Sequence, residues 1–329
     1  TIHERPGVYS SYDASSVVSA SAAAKTIGAA AVATKGTANK VELITSYEEG
    51  KSVFGEDASG VYGMSTLLKF LFANGAGAVK AVAVGKDESE EKDYASAFAA
   101  LSDEEDVGVM VCDSAAQSVH LLLKTAAEDA SAARRERIAV IGGSEETVAQ
   151  MVNRAKAVNS ERVVLVGPDI ASDDGGTMSA VFAAAAVAGA IACGADPAVP
   201  LNGAELYGIG GLQSVCSDND IDLLVQGGVT PLEDVGGVVS PVRGITTRTK
   251  TGSAADSTWR ELTTVLIADD VIPAVRSALR SKFARAKNTA QGRGAIRAQT
   301  IVELEKKKAA QIIESYGEVA VTAVADDPT

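Results

Sequence analysis

Apolar residues arrive in two rhythms along this chain, and their alternation sets the expected fold. Short continuous apolar runs stand at 79–84 (but for Lys80), 107–112, 138–141 and 163–166. Runs of that kind predict strands covered on both faces, because a half-exposed strand would alternate apolar with polar positions. Between them, apolar residues recur every three or four positions. They predict helices over 90–101, over 115–130 (opened by Ser114 and Gln117), and around Val148, Met151, Val152 and Ala155. An Ala-rich stretch at 178–193 predicts a buried helix. Four β–α units in succession predict an α/β fold, a mostly parallel doubly wound sheet flanked by helices.

The flanks are less regular. Residues 17–24 and 27–34 are compatible with strands, weakened by their alanines, and 41–45 is a better one. Ser46 with Glu49 three residues later predicts a capped short helix ending before Gly55. Val61, Met64, Leu67, Leu68, Leu71 and Phe72 then share one helical stripe that stops at Gly75. Past residue 193, Pro197, Pro200 and several glycines break regular structure over 196–211. A short element is expected at 221–225, a loop at 227–237, and a strand at 258–267. Val271, Val275, Leu279 and Phe283, four apart, predict an amphipathic helix. After a break at Gly292 to Gly294, a last helix carrying Ile301, Leu304, Ile312 and Ile313 is expected to end at Gly317, with a strand beginning at Val319.

Charge is distributed unevenly over these elements. The 329 residues hold 30 Lys and Arg against 43 Asp and Glu, a net of -13. Between Arg243 and Lys308 the balance reverses to 14 against 6, so this window is +8 and the remainder -21. One cationic and one larger anionic surface attract copies of the same chain as readily as foreign partners. The acidic total, with aromatics at 4%, argues against direct nucleic-acid binding. No window reaches the roughly 18 apolar residues of a membrane span, and the first residues show no secretory pattern, so no membrane insertion is expected. Cys112, Cys193 and Cys216 form no close pair and are expected to be buried thiols in a reducing compartment.

Catalytic chemistry finds little footing. Gly50, Lys51 and Ser52 resemble the end of a phosphate loop, but Thr45 stands where its first glycine is required. Gly208, Gly210 and Gly211 lie in the Pro/Gly-broken loop without a strand and helix around them. His3 and His120, the latter placed on the polar side of its helix, lack metal-ligand spacing. Carboxylate runs at Glu90 and Glu91 and at 103–106 read as solvated faces. No catalytic, cofactor-binding or metal-binding residue is therefore expected. Lys306, Lys307 and Lys308 admit two readings: a solvated helix face supported by Glu303 to Lys307 pairing, or a docking site for an acidic partner.

A family resemblance rests on the same basic half. PVRGITTRT at 241–249, the lone Trp259 leading the apolar run 262–267, IPAVRSALRSKF at 272–283, and the break at Asn288 and Thr289 follow in that order. RPGVY stands at 5–9. The chain thereby resembles the tail sheath proteins of contractile phages, tail-like bacteriocins and related injection particles. The resemblance implies a structural subunit that polymerises helically around an inner tail tube and contracts to drive the tube through a cell envelope, with no cofactor. It implies extended N- and C-terminal arms that add strands to neighbouring copies, here Pro6, Gly7, Val8 and Tyr9 at one end and Val319 and Val321 at the other. It also implies tube-facing charge at Arg297, Lys306, Lys307 and Lys308. The implied partners are further copies of the chain, the inner tail tube protein, and baseplate and tail terminator proteins, within a virion or tail-like particle assembled in the bacterial cytoplasm. The expected division is an arm at 1–20, an acidic α/β part at 21–200, a basic part at 201–315, and the start of a C-terminal arm at 316–329. The family continues past the Val319 strand, so a trimmed arm or a short member is expected here. A rival reading, a cytoplasmic α/β enzyme, predicts a discrete oligomer and a deep pocket at the carboxyl ends of the strands. A third, another self-assembling shell or surface layer, predicts flat arrays or closed shells.

Overall fold

The computed structural model describes residues 25–58, 60–86, 92–172 and 176–323. Its main sheet is built from β1 (Thr26–Ala31), β2 (Val41–Ile44), β3 (Val79–Ala83), β4 (Val107–Cys112), β5 (Ile138–Gly142), β6 (Val163–Gly167), β7 (Thr230–Val235) and β8 (Val238–Pro241). The spatial order is β8-β7-β6-β5-β4-β1-β3-β2. The six central strands are parallel, and each edge carries one antiparallel strand, β2 on β3 and β8 on β7. The mostly parallel sheet expected from the short apolar runs is present, and it draws its last two strands from beyond residue 200.

Nine helices join these strands among the described residues: α1 (Tyr47–Phe54), α2 (Met64–Ala73), α3 (Tyr94–Ser102), α4 (Gln117–Ala132), α5 (Val148–Val158), α6 (Ala180–Cys193), α7 (Asp218–Gln226), α8 (Leu262–Phe283) and α9 (Ala290–Ala309). The sheet separates two apolar clusters. One face meets Leu67 and Leu71 of α2, Phe182 and Val187 of α6, and the first turn of α8. The other meets Phe98 of α3, Leu123 of α4, Ala155 of α5 and Leu224 of α7. Helix α6 is buried at twelve of its fourteen positions, as a helix apolar all round must be. Its small residues permit main-chain contact: a Cβ at Gly142 would lie 2.2 Å from the Ala180 carbonyl, and one at Gly189 2.8 Å from that of Leu71. Arg137 is fully buried, and its guanidinium donates to the carbonyls of Leu101 at 2.8 Å and Ser102 at 3.4 Å, and to that of Glu104. It thereby serves the open carbonyls at the end of α3, where a cation is favoured.

Several local expectations are corrected. Ser46 does cap α1, but the Glu49 carboxylate reaches back to Thr45. Val61 lies outside α2 and is exposed, and residue 116, with no side-chain bond, caps α4 in place of Ser114. The 221–225 element belongs to α7, started by a Ser217–Asp220 capping box. The 227–237 loop contains β7 and the Gly236–Gly237 turn, whose φ values of 65° and 87° suit a two-residue hairpin. The expected strand at 258–267 is instead the start of α8. Its Thr and Val residues favour strands, but Leu262, Val265 and Leu266 fall at i, i+3 and i+4, and burying that face outweighs propensity. Gly292 and Gly294 lie inside α9, whose N-cap is Thr289, with its hydroxyl accepting from the Gly292 amide. That helix ends at Ala309, well before Gly317, and residues 317–323 form no strand.

Candidate functional site

The last part of the basic region folds into a helical hairpin, α8 and α9, with a character unlike the rest. Helix α8 buries only Leu262, Val265 and Leu266, and α9 buries nothing. No residue from 267 to 323 is buried. Past its first two turns, α8 is tied to the body by charge. Arg162, just before β6, holds Asp269 at 2.6 Å, and Glu136, just before β5, holds Arg276 at 2.9 Å. Lys307 reaches across from α9 to Asp270 at 2.6 Å.

Between residues 271 and 309 the hairpin carries ten Lys and Arg against two Asp and Glu. Three of the ten have acidic partners: Arg276 with Glu136, Lys306 with Glu303 at 2.9 Å, and Lys307 with Asp270. Lys282, Arg293 and Arg297 bond only to neutral oxygens, each at 2.7 Å, on Gln299, Asn288 and the main chain of Val319. Arg280, Arg285, Lys287 and Lys308 have no bonded partner among the described residues. The tip, 280–297, thus presents six cations and no acid.

The predicted charge contacts therefore separate. Lys306 pairs with Glu303 at i,i+3, the expected Glu303 to Lys307 pair is absent, Lys307 is spent on Asp270, and Lys308 alone of the three stands free. Arg297 grips the Val319 carbonyl, while the Tyr316 hydroxyl donates to Glu305, so the segment after α9 lies back along that helix. Val319 and Val321 are half-buried without strand structure. Pro6, Gly7, Val8 and Tyr9 lie outside the described residues. The tip was legible as a charge count. Its freedom from acidic partners was not, because that depends on contacts from 17 to 140 residues apart in sequence.

Inside the body, His120 is fully buried, a correction to its expected place on a polar face. Its Nε2 lies 2.8 Å from the Ser114 carbonyl, and Arg154 approaches Nδ1 at 3.1 Å. Arg154 also binds Glu146 at 2.7 Å. Burial, with Arg154 nearby, pushes the imidazole down to about 4. A histidine held neutral in the fold but free to protonate when unfolded makes stability fall as pH drops from about 6.5 toward 4, by roughly 3 kcal/mol in all. Chemical denaturation across that window should show the loss, and His120→Gln should flatten this part of it. Tryptic or thermal stability that is unchanged between pH 7 and 4.5 would contradict the assignment.

At the carboxyl ends of β1 and β4, where the enzyme reading places a pocket, Asp113 accepts from the Val32 amide at 2.9 Å and from the Tyr94 hydroxyl at 2.7 Å. A cavity of about 250 Å³ lies at the amino ends, lined by Lys25, Leu201, Leu262 and Asp270, and another of about 320 Å³ is lined by Tyr62, Thr66, Phe70, Ser172 and Met178. Cys193 is exposed rather than buried, Cys112 is buried and Cys216 half-buried. Among the described residues, no three His, Cys, Asp or Glu side chains could hold a metal ion, and no helix is long and apolar enough to cross a membrane.

Comparison with known proteins bears on this fold. Residues 87–247 match the phage tail sheath protein central domain. The tail sheath protein of Bacillus phage SP01 is 30% identical over 196 residues, which is 57% of this chain and 34% of that protein. The chain thus spans about a third of the length of this curated relative. The solved sheath tail protein of Desulfitobacterium hafniense superposes with a TM-score of 0.70 at 12% identity, over 92% of this chain and 89% of that one. The helical sheath of the anti-feeding prophage in its contracted state gives 0.67 at 15% identity, over 94% and 85%. At such identities these two likenesses establish a shared fold.

Proposed function

We propose that this chain, whose residues 87–247 match the phage tail sheath protein central domain, is the structural subunit of a contractile sheath. Copies polymerise helically around an inner tail tube and contract to drive that tube through a cell envelope. The carrying observation is the pairing of this domain with a basic helical hairpin, α8 and α9, beyond whose first turns no residue from 267 to 323 is buried. Past Leu266 this unit is held by ion pairs and partly exposed contacts and not by a core, which leaves its outer faces open to a lattice neighbour or a tube.

In this reading the tip cations face an acidic surface of the inner tube, with Lys308 as a fourth free cation and Arg297 released when the C-terminal segment leaves α9. Lys306 and Lys307 play a lesser part, since both already have acidic partners. The arms, Pro6 to Tyr9 and Val319 to Val321, pair with strands of neighbouring copies by main-chain hydrogen bonds, which tolerate sequence and can act as links between states. The acidic part, 21–200, supplies the complement to the basic part, 201–315. Baseplate and terminator proteins close the polymer at its ends, and assembly takes place in the bacterial cytoplasm. Energy is stored in the lattice as built, and no cofactor takes part.

Sedimentation of the concentrated protein tests this reading. Association through charged faces should yield pelletable polymer at low salt and less as ionic strength rises. A discrete small oligomer at every salt concentration would contradict it.

A further inference from the structure

Helix α8 has two parts that meet at a proline. Its first turns belong to the body: the Leu262 amide donates to the Gly244 carbonyl at 3.2 Å, Leu262, Val265 and Leu266 are buried, and Asp269 takes Arg162 Nη1 on both oxygens, at 2.6 and 2.7 Å. That pair is nearly enclosed, with side-chain exposures of 17% for Arg162 and 9% for Asp269. One turn later, Pro273 has no N–H to give to the Asp269 carbonyl, so the helical ladder is interrupted there. A proline inside a helix is a usual site of bending.

Past the proline the attachments change. No residue from 274 to 323 is buried, and the element that α8 packs against most is α9. Arg276 reaches the body, donating to Glu136 at 2.9 Å and to the Arg134 carbonyl at 3.4 Å. Asp269, Pro273 and Arg276 stand at i, i+4 and i+7, so this clasp lies on the face that carries the Arg162 pair, two turns on. The Arg276 side chain is 35% exposed, and water and salt weaken such a pair. The distal residues meanwhile hold one another: Lys282 donates to Gln299 and Arg297 to the Val319 carbonyl, each at 2.7 Å, and the Tyr316 hydroxyl donates to Glu305. In the last turn of α9, Lys307 meets Asp270 at 2.6 Å. Helix α9 therefore ends beside the turn of α8 that the proline interrupts.

We propose that Pro273 is a hinge and the Arg276–Glu136 pair its releasable clasp, so that residues 274–323 swing as one piece against the sheet-bearing body. Opening the clasp breaks one screened ion pair and uncovers no core. The Arg162–Asp269 pair holds the stem, and the Lys307–Asp270 pair limits the swing. In the sheath reading above, this joint keeps the cationic tip on its partner surface while the body turns. The joint itself belongs to one subunit, so its test stands apart from that reading.

Pulsed electron spin resonance distances on the full chain, kept dilute and at low salt, read the swing. Spin labels go on the exposed Cys193 and on Ser281→Cys, with Cys216→Ser and with Cys112 buried. Glu136→Gln should raise the population outside the main distance about three-fold, and Arg276→Gln should match it, with no further rise in the double variant. Salt at about 0.5 M should move the parent the same way. Pro273→Ala, which restores the N–H, should narrow the distribution in the parent and in Glu136→Gln. A control pair within the body, Cys193 with Ser118→Cys, should keep one narrow distance throughout. The hinge is overturned if Glu136→Gln gives the parent's distribution, if Pro273→Ala leaves the spread unchanged, or if the control pair broadens equally.

Discussion

Reversing three charges at the hairpin tip, with Arg280→Glu, Arg285→Glu and Lys287→Glu together, should leave inner tail tubes bare while the subunit folds as before. None of the three has a bonded partner among the described residues, and all are exposed, so the isolated chain loses no contact. Their effect is on what the tip meets. Six cations without an acid form a face that attracts an acidic surface, and three reversals bring the tip's balance from six positive to three against three. Like charges placed opposite one another cost several kcal/mol at an interface, and a helical polymer repeats that cost at every subunit. In particles rebuilt with the variant, electron microscopy should show naked tubes, with an unchanged circular dichroism spectrum for the free subunit. Fully sheathed tubes would remove the tip from the contact.

Gly142→Val should abolish the folded state itself. Its Cβ would stand 2.2 Å from the carbonyl carbon and oxygen of Ala180 and 2.4 Å from the Val181 nitrogen, all main-chain atoms at the start of α6. No rotamer change relieves a clash with backbone, and α6 is enclosed at twelve of its fourteen positions. The loss should reach about 5 kcal/mol, the exceptional end for one substitution and comparable to the whole stability of many domains. Insoluble expression, or a urea midpoint shifted to near zero, is the expected result. Gly294→Ala is the contrasting case, since nothing lies within 4 Å of its Cβ position in the exposed α9. It should stabilise by up to about 1 kcal/mol. A Gly142→Val protein as stable as the parent would mean that β5 and α6 are not packed as described.

The centre of the sheet was legible because β3 to β6 are largely buried on both faces and written as short apolar runs, interrupted in β3 only by Lys80. The 107–112 run matched β4 to the residue, and 79–84, 138–141 and 163–166 matched β3, β5 and β6 within one. The basic half read less well, for reasons specific to its residues. Thr263, Thr264 and Val265 carry strand propensity into a helix decided by three core contacts. Gly292 suggested a break where a threonine cap begins a helix. The free tip could have been found by noting that 280–297 lacks any acid. That Lys307 is spent on Asp270, or that Arg297 is held by Val319, required the fold. His120 was placed on a polar face between Gln117 and Lys124, one turn away on either side, and only the packing of α4 against α5 shows the imidazole buried beside Arg154.

Negative-stain electron microscopy of the purified protein, concentrated at low and at moderate salt, with the C-terminus verified by intact mass, addresses the central claim most directly. Hollow cylinders of uniform width are the predicted result. Discrete particles, flat arrays or closed shells from a chain whose C-terminal arm is intact would contradict a contractile sheath.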